Sequence, residues 1–172
     1  MKGFNNLLLL IGLLVGGQLM AQSPCSTEAH SQFDFWVGDW EVYSTTGDTV
    51  VGHNVIKRIL AGCVVEENWT GGSGFQGKSF NTYNPKDSTW NQVWVDMSGA
   101  TYHFKGKYQD NVMQMKGESP GRNGQMVLFD MSYHPQEDGS VRQIWKMSSD
   151  GGKNWNTAFD GMYRKKDTKS DD

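Results

Sequence analysis

From Trp40 to Lys165 apolar and polar residues alternate in short runs, the period of a strand with one face buried. The runs are "WEVYST", "VVGHNVIKRI", "CVVEENWT", "GKSFNTYN", "WNQVWVDM", "TYHFKGKY", "VMQMKG", "QMVLFDMSYH", "VRQIWKMS" and "TAFDGMYRK". The gaps between them, such as "TGD", "PKDST", "ESPGRNG" and "SDGGKN", concentrate Gly, Asn, Asp and Pro. These residues accept turn dihedrals or bond locally to the backbone. About ten strands joined by such short links predict hairpin after hairpin. Closing that meander removes its exposed edges, so the pattern predicts an all-β fold, a single antiparallel up-and-down β-barrel. A two-sheet sandwich is the alternative. Only "CSTEAHSQF" reads as helix, with Ser26 as N-cap and Glu28 near the positive helix end.

The first residues break the alternation. Lys2 precedes the apolar run "LLLLIGLLV", and Ala21 offers a small residue at a cleavage point before Gln22. The run is too short to span a bilayer comfortably, so residues 1–21 read as a secretory signal peptide. A lipid anchor on Cys25 is disfavoured, because Gln22, Ser23 and Pro24 precede it where small and apolar residues are needed. Residues 22–163 then form one barrel domain, and residues 164–172 a charged, solvated tail. The expected location is the periplasm or the medium.

A formal net charge of −3 without a basic stripe argues against nucleic acid as a partner. No later apolar run could cross a membrane. Nothing in the pattern fixes an oligomeric state. Cys25 and Cys63, in a chain bound for an oxidising compartment, are expected to pair. No Cys or His spacing suggests a metal.

Most motif-like stretches read as structure. Gly72, Gly74 and Gly77 match the dinucleotide-loop spacing, but a strand-like segment follows where a helix N-terminus is required. "NWT" at Asn68 is a formal glycosylation sequon of no weight here. His30, His53, His103 and His134 show no metal-site spacing and read as surface or turn residues. No GxSxG elbow appears.

The strand parity carries the chemistry. Alternate residues share a face, which groups Gln92, Trp94 and Asp96, then Ser79, Asn81 and Tyr83. It also groups Gln143 with Trp145, and Glu67 with Trp69. Aromatic planes mixed with amide and hydroxyl groups are the composition of a pocket for a partly polar small molecule. The same sets could instead fill a barrel core and satisfy one another. Three functions follow. The first is a binding barrel for a small molecule. The second is an enzyme using Glu67, Asp96 or Asp160 as acid or base. The third is an interaction protein with a filled core.

"SSDGGKNW" resembles the Asp-box of sialidases and other secreted β proteins, through Ser148, Asp150, Gly152 and Trp155, with Asn154 where Thr is usual. That resemblance implies a brace for the last hairpin, with the Trp packed beneath it. "FDFWVGDWEVY", "GCVVEENWTG", "NQVWVDMSG", "VRQIWKMSSDGGKNW" and "FDGMYRK" together resemble an uncharacterised family of secreted bacterial proteins. More distantly, Gly38-Asp39-Trp40 looks like the G-x-W that opens calycin barrels such as lipocalins and fatty-acid-binding proteins. That likeness implies that Trp40 closes one barrel end beneath Arg164. "SFNTYNP" resembles the matching strand and turn of nitrobindins, which bind haem. Asp160 stands where that family places its haem-ligating histidine, and a carboxylate is a poor axial ligand beside imidazole. No cofactor is therefore expected.

Overall fold

The computed structural model describes residues 24–121 and 124–166; the expected signal peptide and the end of the charged tail lie outside them. The strands are β1 (Gly38–Ser44), β2 (Val50–Ile59), β3 (Val64–Gly71), β4 (Gln76–Asn84) and β5 (Thr89–Asp96). They continue as β6 (Thr101–Gln109), β7 (Val112–Pro120), β8 (Met126–Pro135), β9 (Val141–Ser148) and β10 (Asn156–Lys165). Each strand pairs antiparallel with its sequence neighbour, and β1 pairs with β10 to close the barrel. The strands β2 and β9 coincide with the runs "VVGHNVIKRI" and "VRQIWKMS". No helix among the described residues is long and apolar enough to cross a membrane.

The N-terminal segment forms a short helix, α1 (Glu28–Ser31), then a single 3-10 turn, Asp34–Trp36. Thr27, not Ser26, occupies the N-cap position, and its hydroxyl lies 2.6 Å from His30 Nδ1 instead of capping an amide. The following aromatics turn inward and seal one end of the barrel. Phe33 stacks on Trp36 at 5.0 Å and meets Trp90 and Tyr133 edge-on. Phe33, Trp36 and Trp40 are fully buried, and each contributes roughly 2–3 kcal/mol by burial. The Trp40 indole donates to the Trp36 carbonyl at 2.9 Å. Gly38 permits this close packing, since a Cβ there would stand 3.1 Å from the Trp40 ring.

Two clamps hold the plug. A Cys25–Cys63 disulfide ties it to the β2–β3 connection. Arg58 at the end of β2 donates to Asp34 at 2.5 Å and to the carbonyls of His30 and Gly62. Asp34 is thus a clamp residue, whereas Asp39 is exposed, and its carbonyl accepts the Lys166 amide at 3.0 Å.

Two expectations about this end need correction. Arg164 does not cover Trp40. Tyr163 points inward, so Arg164 points outward and lies 4.5 Å from the Tyr43 ring centre. Lys165, the register partner of Trp40, lies over its ring instead, at 5.8 Å. Nor is His30 a surface residue: it is buried, with its ring edge-on to Tyr83 at 5.1 Å.

At the opposite end, the β9–β10 hairpin takes the expected braced form. Asp150 Oδ1 accepts the Lys153 and Asn154 amides at 3.0 and 2.9 Å and the Ser148 hydroxyl at 2.8 Å. The Asn154 side chain donates to the other oxygen at 2.7 Å, so the replacement for Thr serves the same turn. Led by the Asn154 amide, these bonds hold the Asp150 carboxyl down at about 2. Trp155 departs from the expected placement. It stays 41% exposed and donates to the Gly152 carbonyl at 3.0 Å, lying on the turn rather than packing beneath it.

Candidate functional site

The aromatic plug fills only the sealed half of the barrel. Toward the other end a cavity of about 250 Å3 opens among the inward residues of β3, β5, β8, β9 and β10. Its upper wall is aromatic and apolar: Trp69, Phe75, Trp94, Trp145 and Phe159, with Met131, Met147 and Ala158. Its floor is polar: Glu67, Gln92, Gln143, Tyr133 and Tyr163.

Glycine makes room for two of the indoles. A Cβ on Gly52 would stand 2.5 Å from the Trp69 ring, and one on Gly77 would stand 2.2 Å from the Trp94 ring. Each tryptophan therefore lies flat over a neighbouring strand where only glycine allows that approach. Trp69 also meets Phe159 edge-on at 5.7 Å, and Trp145 packs edge-on against Tyr102, Phe104 and Phe129.

The floor is a directed hydrogen-bond network. Glu67 receives the Asn54 amide at 2.7 Å and the Ser79 hydroxyl at 2.6 Å. Ser79 Oγ itself accepts the amides of Asn81 and Gln92, at 3.0 and 3.4 Å, so its one proton goes to Glu67. Asn54 also donates to the Tyr163 hydroxyl at 3.3 Å, and the Tyr163 hydroxyl donates to Gln143 Oε1 at 2.5 Å. The Tyr133 hydroxyl accepts Gln92 and Gln143 at 3.0 and 3.3 Å and donates to the Met131 sulfur at 2.9 Å.

Burial pushes the Glu67 carboxyl up to about 7, against the pull of the Ser79 and Asn54 bonds. Both forms of the acid are thus populated near neutrality. Burial, and then the nearby Glu67, hold the Tyr133 and Tyr163 phenols well above their usual range, so both stay neutral. Five buried polar atoms of the described residues have no partner: Gln92 Oε1 and Trp145 Nε1 on lining residues, and Trp36 Nε1, Asn54 Oδ1 and Asn81 Oδ1 away from the lining.

The residues expected at a pocket fall into four places. Trp69, Gln92, Trp94, Gln143 and Trp145 line the cavity, with Glu67. Ser79 and Asn81 are buried in the network below, where Asn81 also donates to the Val65 carbonyl at 3.0 Å. Tyr83 does not belong to the site. It packs at the sealed end against His30 and Trp90.

Asp96 stands at the rim. One of its oxygens caps the β5–β6 turn through Ser98, and the other accepts the Trp94 indole at 3.2 Å. Burial works to raise its carboxyl, but the bonds from Ser98 and Trp94 outweigh it and leave the group below its usual value.

Asp160 lies on the outer wall. It takes both arms of Arg142, at 2.9 and 2.8 Å, and faces away from the cavity. The cause is the ordinary alternation of β10: Asp160 pairs with Ile144, between the inward Gln143 and Trp145. Ala158 and Phe159 both reach the cavity, and Gly161 and Tyr163 continue the inward face. Only Glu67 among the three expected acid or base groups is therefore in the cavity.

Tyr133, Tyr163, Met131 and Asn54 were missed by the sequence reading. Their signal was present: "FDMSY" places Phe129, Met131 and Tyr133 on one face, all buried. No protein-family model matches the chain, and no match is found among curated proteins.

Proposed function

We propose that the barrel is an exported binding protein for a compact, partly polar organic molecule. The observation that carries this reading is the cavity itself, about 250 Å3 with aromatic walls and a hydrogen-bonding floor. Ligand pockets have this make-up, and the size lies just below the roughly 300–1,000 Å3 of pockets for drug-sized molecules. The disulfide and the N-terminal apolar run support export, and the G-x-W opening at Gly38 and Trp40 supports a calycin-like lineage. An open upper half weakens the alternative of a filled core.

The test is native mass spectrometry of the protein isolated from its own producing cells. A retained small mass, with affinity lost in Trp94→Ala and Gln143→Ala, supports the reading. Unchanged affinity in both variants would refute this placement of the site.

One observation favours a second reading, an enzyme. Glu67, held near 7 at the cavity floor, is suited to proton exchange with a bound substrate. Glu67→Gln would then abolish turnover of an identified substrate while leaving its binding measurable. Loss of both together would reduce Glu67 to a binding group.

A further inference from the structure

We propose that the ligand is a small organic cation, a protonated or N-methylated alkylamine, held between the indole faces and the Glu67 carboxylate. This rests on the binding reading and narrows it to a chemical class.

The charge of the lining is one-sided. Glu67 is the single carboxylate among the lining residues, and no Lys, Arg or His stands with it. An anionic ligand would enter without a counter-charge and would face a carboxylate at the floor. Taking a bare anion into such surroundings is strongly unfavourable. A cation meets the reverse situation, because Glu67 supplies the opposite charge in a region already shielded from water.

The walls agree with the floor. Trp69, Trp94, Trp145 and Phe159 offer ring faces whose negative quadrupoles attract cations, most strongly when water is excluded. Among the described residues, the cation–ring contacts fall on Tyr43 and Trp40, neither of which lines the cavity. Trp94 donates its indole N–H to the Asp96 carboxylate at 3.2 Å, which makes its ring face more electron-rich.

Hydrogen-bond supply fits an amine head group. Both Glu67 oxygens already accept one bond each, from Asn54 and Ser79, and a carboxylate oxygen has capacity for a second. An N-methylated head needs fewer such bonds and relies on the rings. The cavity volume of about 250 Å3 restricts the remainder to a short chain or one ring.

Three probes of one shape isolate the charge: 2-phenylethylammonium, 2-phenylethanol and 3-phenylpropanoate. Binding to the full chain is followed at pH 8 by calorimetry and tryptophan emission. The ammonium should bind roughly thirtyfold tighter than the alcohol, and the carboxylate should not bind measurably. Glu67→Gln should remove most of the ammonium's advantage over the alcohol. Trp94→Leu, which keeps Glu67, should weaken the ammonium more than the alcohol. The wild-type series needs no variant, so a poorly folding mutant does not decide the matter. Equal affinity for ammonium and alcohol, or tight binding of the carboxylate, overturns the cation assignment and leaves the binding reading standing. Binding of none of the three counts against both.

Discussion

Glu67 and Ser79 stand directly opposite each other on β3 and β4, and the serine hydroxyl donates to the glutamate across 2.6 Å. The bond serves the ionised acid more than the neutral one. Ser79→Ala should therefore cost about 1–3 kcal/mol at pH 8, the range for an unsatisfied buried acceptor. The loss should be smaller at pH 5. Urea unfolding at the two pH values measures both, and equal losses would show that the bond does not distinguish the two forms.

The same carboxyl makes stability depend on pH. Its folded value is raised to about 7, above the ordinary 4.5, so the native state holds the proton more tightly than the unfolded chain. The resulting stability is fully present below about 4.5 and is lost as pH rises through about 7. The amplitude is about 3 kcal/mol. Glu67→Gln should flatten unfolding free energy between pH 5 and 8 relative to wild type. A slope retained in the variant would assign the dependence to other groups.

Gly77 lies under the Trp94 indole, and a Cβ there would stand 2.2 Å from the ring. Gly77→Ala should push Trp94 from the wall, costing about 1–3 kcal/mol by overpacking. The emission of Trp94 should shift, and ligand affinity should fall together with it. Retained affinity in a folded variant would mean that Trp94 is not part of the binding wall.

The Cys25–Cys63 bridge closes a loop with a sequence separation of 38. Chain-entropy reasoning gives a contribution of about 4 kcal/mol from a loop of that size. The Cys25→Ser/Cys63→Ser double variant should lose about that much in denaturant unfolding. The plug aromatics should then become accessible to quenchers before the barrel opens.

Asp160 is on the outer wall with Arg142, both partly exposed. Asp160→Asn should change stability by no more than ~1 kcal/mol, as for a surface pair. Ligand affinity should stay as in wild type, and a marked loss would place this pair within the function after all.

The barrel was legible because its signals are local. In strands such as Val112–Pro120 more and less buried positions alternate, and the links between strands carry the residues that turns require. Parity also brought Gln92, Trp94, Gln143 and Trp145 to one interior. What parity lacks is depth. Tyr83 and Asp96 share the inward face with the lining residues, yet one stands at the sealed end and the other at the rim. Depth depends on how the strands are staggered around the closed sheet, a property of all ten pairings together. Asp160 was misplaced for a different reason. The phase of β10 was read one residue off: Phe159, Gly161 and Tyr163 face inward, which turns Asp160 and Arg164 outward together. Arg164 and Lys165 differ by a single position, and only the pairing of Trp40 with Lys165 separates them.

The sealed end has a consequence for handling the molecule. Gly38, where β1 begins, and Lys165, where β10 finishes, both lie beside the plug, on the side away from the cavity. A support attached before Pro24 or after Lys166 would hold the barrel by its base. Every immobilised copy would then present its mouth to solution, with the intrinsic tryptophans as the reporter.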